Sequence, residues 1–562
     1  MANFLENIFT QLQRSAGRGV LREVRGEQFV SVTGRELLEQ IQRARTYLRH
    51  AGLQAGERCA LVGSNSIQWV AIDLALMAEG LIVVPLYFRQ APAELDAMMK
   101  DCKPRLLIAG DSHLQGALQG QSRDAGAASV LFDQVLQATE PSTPVEDTPL
   151  ARSEDEIVKI IYTSGTSGEP KGVCLNVRNV SFILSRTAAR FDQLMRGTRE
   201  PDRVFHYLPF NFAASWIALL SFLFRESAVT LSTDLNRLAD EIRATAPHYF
   251  LNVPTLLERV RRGVEENIAK RPAPVRSLFA AARDAWQRRQ AGRGRAFDAL
   301  SLGLSKKLIF SKITERFGPN LQALICGSAP LAPETQQFFL MLGIRVFQVY
   351  GLTETTGICT MDDPRIPAQP GHVGQAIDGM DMKIAGNEEI VVRGPNVFPG
   401  YWQRPEETAR VLRDGWFHTG DQGEVTVAGN WRIIGRIKNL IILNSGHNIA
   451  PEPIEERIAK LLPTAQHVVV VGNGRGYLCA LVTGPVEPAA VQSSLDAVNP
   501  DFPHYRQIRS FTVLRDAFTA ENGLLTSMGK LRRDAINARF AAEINSMYDV
   551  RRERQAIAGK PG

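Results

Sequence analysis

Apolar positions in the first third of the chain follow two rhythms. Over residues 34–51, Leu37, Ile41, Ala44 and Leu48 recur at helical spacing and share one face. Short unbroken apolar runs follow at 59–63 (CALVG), 82–87 (LIVVPL) and 105–109 (RLLIA), separated by helix-like stretches. Such strand–helix alternation predicts a parallel sheet covered by helices. The apolar run from Val70 to Leu86 is broken by Asp73 and Glu79. Residues 119–152 are polar, with Ser, Pro and acidic side chains, and read as a surface connection. Val158–Tyr162 (VKIIY) reads as a buried strand running into a Gly/Ser/Thr loop, and further strands are expected at 248–253, 321–327 and 344–350.

From about 371 to 434 the texture changes to short β segments and turns (EEIVVRG, FPGYW, GEVTVAGNWRIIG), which suggests a small β-rich subdomain. After Gly435 a new strand–helix–strand pattern begins, with a strand at 467–472 (HVVVVG) and a late helix at 530–547. These patterns divide the chain into a large N-terminal domain, 1–435, and a small C-terminal domain, 436–562. The fold class is α/β: parallel-type sheets with helices and a β-rich subdomain in the large domain, then a small α+β domain.

The 562 residues carry 65 Lys and Arg against 59 Asp and Glu, a net charge of +6. This mild excess permits an anionic substrate or a membrane surface and makes no case for nucleic acid. Gly and Pro are near their usual abundance, so collagen-like, low-complexity and disordered classes are excluded. The six cysteines have no metal or redox spacing and read as buried, inert thiols of a reducing, cytoplasmic compartment. The N-terminus lacks a signal-peptide pattern, and the most apolar run, Trp216–Phe224, is half the length a bilayer requires, so no transmembrane segment is expected. Residues 259–316 are rich in Arg and Lys. They read as a solvated helical face, with a basic surface for acidic lipid headgroups as the alternative, which leaves peripheral membrane contact open.

The sharpest chemical signal is Tyr162-Thr-Ser-Gly-Thr-Ser-Gly-Glu-Pro-Lys-Gly172. Gly165, Gly168 and Gly172 let backbone approach an anion. Thr163, Ser164, Thr166 and Ser167 supply hydroxyls, successive amides can form an anion-binding nest, and Lys171 adds a point charge for a phosphate oxygen. The spacing is not that of the P-loop NTPases.

This string resembles the phosphate loop of the adenylate-forming superfamily, which contains acyl-CoA synthetases, peptide-synthetase adenylation domains and luciferases. Other segments follow in that family's order. Gly327-Ser328-Ala329-Pro330 resembles the segment along the adenine, and Gln348-Val-Tyr350-Gly351-Leu-Thr353-Glu354 the motif lining the adenine. Gly415-Trp-Phe-His-Thr-Gly-Asp421 resembles the ribose motif, Gly435-Arg436-Ile-Lys-Asn439 the hinge and Met528-Gly-Lys530 the C-terminal lysine motif. The resemblance runs from about 34 to 541. It implies ATP, Mg2+ and coenzyme A as cofactors and cosubstrates, and a mobile C-terminal domain. By residue, it implies Lys171 and the loop hydroxyls on the β- and γ-phosphates, Thr353 and Lys530 at the α-phosphate, and Glu354 on Mg2+. Asp421 and Arg436 would hold the ribose, and Tyr350 would lie on the adenine. His418 reads as a structural contact, because a carboxylic acid is already ionised at pH 7 and needs no base. In Ser445-Gly-His447-Asn448, His447 reads equally as a coenzyme A contact and as a turn residue.

The segment 209–224 (PFNFAASWIALLSFLF) is apolar enough to line an alkyl tunnel, where each buried CH2 contributes about 0.8 kcal/mol. Phe210, Phe212, Trp216 and Leu220 are the expected substrate residues. Trp216 stands where some long-chain fatty acyl-CoA synthetases have a tryptophan at the tunnel mouth. The function expected is therefore long-chain fatty acid–CoA ligation. Loading of an acyl carrier protein and ligation of another acyl or aryl acid are the alternatives.

Overall fold

The computed structural model describes residues 3–26, 28–137, 148–164, 170–195, 201–526 and 529–548. Two compact units emerge. The first comprises Met1–Met382, Val392–Phe417 and Thr426–Trp431, and the second Lys383–Val391, His418–Val425 and Arg432–Gly562.

The first unit is built on two large sheets. One has six strands in the order Ala128–Leu131, Leu106–Ala109, Arg58–Val62, Ile82–Leu86, Ile157–Ser164 and Pro170–Asn176. Its neighbours are parallel until the last pair, which forms an antiparallel hairpin. Continuous apolar runs form these strands because helices cover the sheet, such as Ile67–Ala78, every residue of which is buried except Gln68. The other sheet has nine strands. A parallel centre (Arg345–Tyr350, Ala323–Cys326, Tyr249–Asn252, Arg203–His206, Ala228–Leu231, Gly19–Arg25) is flanked by antiparallel edges. Short strands between Asp381 and Arg436 form a separate five-stranded sheet, the β-rich subdomain expected from the sequence.

The second unit has its own core. Strands His467–Val471, Leu478–Thr483 and Ile508–Leu514 form a three-stranded sheet. Ile454 and Ile458 of the helix Glu452–Leu461 and Val491 and Leu495 of Pro488–Val498 pack into the same apolar cluster as its strands.

The structure corrects one expectation. Residues 119–137 are no plain connection: a helix, Gln119–Asp124, leads into the edge strand Ala128–Leu131 and the helix Phe132–Leu136. The apolar side chains of Val130, Phe132 and Val135 are buried, so few well-placed side chains suffice to fold a polar stretch onto the sheet.

The two charges interrupting the apolar run at 70–86 both have buried cations as partners. Glu79 takes the buried Arg45 at 2.7 Å and the exposed Arg49 at 2.8 Å. Asp73 takes Lys159 of the strand Ile157–Ser164 at 2.6 Å, with both side chains excluded from solvent. Burial pulls the Lys159 ammonium down to about 8 while Asp73 opposes the shift. Removing one partner leaves a buried charge uncompensated. Asp73→Ala should therefore cost about 3–5 kcal/mol, and adding Lys159→Met to it should recover most of the loss, as read by chemical denaturation. Equal midpoints for the single and double variants would contradict this.

Candidate active site

The hairpin Ile157–Ser164/Pro170–Asn176 sets the register of the phosphate-loop motif: Tyr162 pairs with Gly172, Thr163 with Lys171 and Ser164 with Pro170. The connection between its strands is thus the Gly/Ser/Thr run. Gly165, Thr166, Ser167 and Gly168, and the side chain of Ser164, lie outside the described residues. Gly172 is required by packing, since a Cβ there would stand 2.7 Å from Ile160 and 3.2 Å from the Trp402 side chain.

On its outer side the second strand of the hairpin is held by the segment Gly400–Trp402. Cys174 N–H donates to the Gly400 carbonyl at 3.1 Å, and Trp402 N–H to the Gly172 carbonyl at 2.7 Å. This places Tyr401 at the centre of the site. Its hydroxyl donates to Glu354 Oε1 at 2.9 Å, and its ring centroid lies 5.6 Å from Lys171 Nζ. Lys171 also forms an ion pair with Glu407. Near the loop end of the hairpin, Tyr162 donates to Asp101 at 2.6 Å, and Arg404 donates to the other Asp101 oxygen at 2.8 Å. Lys171 and Glu354, 183 positions apart in sequence, are thereby gathered on one aromatic residue.

Thr353 and Glu354 form one tight turn with Thr355, directly after the strand Arg345–Tyr350. Gly351 admits no side chain, because a Cβ would stand 2.4 Å from the Gly357 carbonyl oxygen. Gly327 is similar, with Val349 2.4 Å from the same point, and Ser328 adopts φ 73°. Ser328 and Ala329 are exposed and Tyr350 is half-buried. Gln348 differs: it is buried, its amide donates to Gln336 at 2.8 Å, and its backbone N–H donates to Asp362 at 2.8 Å. Burial holds that Asp362 carboxyl up at about 7. Gln348 therefore shapes the strand from within.

In the second unit, Asp421 is buried and takes the Arg436 guanidinium at 2.6 Å. His418 Nδ1 lies 2.7 Å from Glu389, the local contact expected for it. Lys530 is exposed. Its backbone N–H donates to Thr526 Oγ1 at 3.1 Å, and its carbonyl accepts from Thr526 N–H at 2.8 Å, which closes a turn around Gly529 at φ 74°. His447 stacks on Tyr505 with centroids 4.1 Å apart and bonds to Ser445 at 3.0 Å.

The apolar segment folds as the helix Ala213–Phe224 behind the turn at Phe210 and Phe212. Phe210 and Leu220 are buried and Phe212 is half-buried, 6.0 Å from Tyr87. Trp216 is fully buried. Its indole N–H donates to Asp73 at 2.8 Å, and Lys159 Nζ lies 3.9 Å from its ring. It is anchored in the core rather than at a rim.

His206 stacks on Phe210 at 5.1 Å, with Nε2 2.8 Å from the Ser215 hydroxyl and 3.1 Å from the Leu208 carbonyl. Burial pulls it down to about 4. The unfolded chain therefore takes up this proton near pH 6.5 and the folded chain does not, so stability falls as pH drops from about 6.5 to about 4. The contribution is about 3 kcal/mol across that window. His206→Gln should show a correspondingly shallower acid dependence in melting experiments between pH 7 and 4; parallel curves for the two proteins would contradict the assignment.

The AMP-binding enzyme family model matches residues 9–402, and the AMP-binding enzyme C-terminal domain model matches 438–552. The long-chain-fatty-acid–CoA ligase FadD15 of Mycobacterium bovis is 28% identical over 570 residues, covering 93% of each chain. Long chain acyl-CoA synthetase 1 of Arabidopsis thaliana is 28% identical over 583 residues, covering 92% of this chain and 87% of its own. The structure of the O-succinylbenzoate coenzyme A synthetase of Bacillus subtilis, in complex with ATP and magnesium ion, superposes with a TM-score of 0.72 at 20% identity, covering 94% of this chain and 98% of that one. With the motifs in order and a family model spanning well over half its length, the chain belongs to the AMP-binding, adenylate-forming enzyme family.

Proposed function

We propose that the protein is an AMP-forming long-chain fatty acid–CoA ligase. The observation that carries the reading is the meeting of Lys171 and Glu354 at Tyr401. An ammonium and a carboxylate on one support can serve a metal-bound triphosphate. Mg2+ binds through one or two carboxylates plus substrate phosphates, and Glu354 fits that pattern. Among the described residues no cluster of three potential ligands exists, so the nucleotide would complete the shell.

A carboxylate attacking an α-phosphate brings two anions together, and the role of the site is to offset that repulsion. Lys171 and the loop holding Thr163, Ser164, Gly165, Thr166, Ser167 and Gly168 bind the β- and γ-phosphates. Thr353 and Lys530 stabilise the charge on the α-phosphate, where one such donor is worth about 10²–10³ in rate. Asp421 accepts the ribose hydroxyls with Arg436 beside it, and Tyr350 and the Gly327–Ala329 ledge take the base. The acyl chain lies against the segment holding Phe210, Phe212 and Leu220, with Trp216 fixing the helix behind it. Gly435–Asn439 is the hinge about which the lid formed by 436–562 turns after adenylation, carrying Lys530 away before thiolysis by coenzyme A. The curated relatives named above, long-chain ligases by name, support the choice of acid.

The test is pyrophosphate release from ATP and Mg2+ across fatty, aryl and amino acids, with and without coenzyme A, with products identified by mass. Acyl-CoA formed best from long-chain acids is expected. Acyl-AMP that ignores coenzyme A and passes to a phosphopantetheinylated carrier would replace the reading with carrier loading. Lys530→Ala should abolish adenylate formation while leaving ATP binding nearly intact, measured by calorimetry; full adenylation would refute its role. Tyr401→Phe keeps the ring against Lys171 and removes a hydrogen bond to a charged group, worth about 1.5–3 kcal/mol. It should slow adenylation about tenfold or more, and an unchanged rate would contradict the support role.

A further inference from the structure

Residues 259–316 hold 15 Lys and Arg against 5 Asp and Glu, a net +10 where the whole chain is only +6. They fold as the helices Pro254–Ala269, Ala273–Gln290 and Ala296–Ser305, the last continuing through a wider π turn at Lys306–Phe310. The inner faces of these helices are ordinary core: Phe279, Ala282, Ile309 and Phe310 pack in the same cluster as Phe338 and Phe339. The outer face of the last helix is not ordinary surface. Phe297, Leu300, Leu304 and Leu308 are 80%, 69%, 48% and 49% exposed. Their spacing of three, four and four places them in one stripe, about 16 Å long at 1.5 Å per residue. Single exposed apolar side chains need no explanation, but a contiguous stripe does.

The charges around the stripe define its partner. Arg293 and Arg295 precede it, Lys306 and Lys307 flank it and Lys312 follows it, all exposed. The sole carboxylate between 285 and 314, Asp298, is turned inward, where it pairs with Arg288 and accepts the Arg295 N–H at 2.7 Å. An apolar stripe whose exposed charges from Arg293 to Lys312 are all cationic is the pattern of a helix lying in a lipid interface, with the side chains at the acyl boundary and the cations on headgroup phosphates. A second copy of this chain would oppose cation to cation, and nucleic acid offers nothing to four bare apolar side chains.

We infer that the helix Ala296–Ser305 and the turn after it dock the protein on an anionic phospholipid bilayer. The inference rests on this surface and not on the identity of the acid. The test is flotation of the full chain with vesicles of mixed phosphatidylglycerol and phosphatidylcholine, against vesicles of phosphatidylcholine alone, at low and high salt. Wild type should float with the anionic vesicles and lose most binding at high salt. Leu300→Glu with Leu304→Glu should lower the bound fraction at least tenfold, and Lys306→Glu with Lys307→Glu should reduce it to the level of neutral vesicles. All four side chains are exposed, so melting curves should stay unchanged. No flotation of wild type with anionic vesicles, or flotation of both double variants as complete as that of wild type, would overturn the inference. A concentration-dependent dimer in sedimentation that Leu300→Glu/Leu304→Glu dissolves would also overturn it, by assigning the stripe to a second copy.

Discussion

The hydrogen bond from Tyr401 to Glu354 is the contact on which the proposed nucleotide site depends. A lysine that binds phosphate and a carboxylate that binds metal must be close enough to serve one ligand, yet must not neutralise each other. Here an aromatic residue stands between them. It donates to the carboxylate with its hydroxyl and offers its ring to the ammonium. Tyr401 can do both because its segment is zipped to the hairpin by backbone hydrogen bonds on either side, and because Asp101 ties Tyr162 to Arg404 near the loop end of the hairpin. Lys171 in turn has Glu407 as a partner. A phosphate arriving at that ammonium would exchange with a carboxylate, which limits the cost of holding an unpaired cation.

A second constraint lies beneath the site. The strand carrying the phosphate loop contains a buried ammonium, Lys159, balanced by Asp73 on the helix Ile67–Ala78. The same carboxylate accepts the indole N–H of Trp216. One buried carboxylate therefore joins the strand of the nucleotide loop to the helix expected to face the acyl chain. Buried ion pairs are seldom the most stabilising way to fill a core, and they restrict the packing to one arrangement. Here that arrangement sets Trp216 relative to the phosphate loop.

Much of this was legible in the sequence, for identifiable reasons. Strand–helix alternation in uninterrupted apolar runs yields parallel sheets, and close-packed glycines such as Gly172, Gly327 and Gly351 mark places where backbone or side chains leave no room for a Cβ. The charges at Asp73 and Glu79 were visible as breaks in an apolar run, but not which cation each would meet, because their partners lie 30 to 86 positions away. Trp216 lay in an apolar run and so read as tunnel lining. Its N–H needed a partner, and 143 residues separate it from the one it found. Tyr401, Glu407 and Asp101 lie in segments whose local pattern is that of ordinary turns and helices. Their part in the site exists only once the chain has folded.

The most direct test of the chemistry follows one oxygen atom. If the acid is activated as its adenylate, a carboxylate oxygen becomes the bridge to phosphorus and leaves with AMP when the thioester forms. A long-chain acid labelled with 18O in both carboxylate oxygens, incubated with the protein, ATP, Mg2+ and coenzyme A, should yield AMP carrying one 18O atom and pyrophosphate carrying none. Unlabelled AMP, or ADP and phosphate in place of AMP and pyrophosphate, would contradict the account.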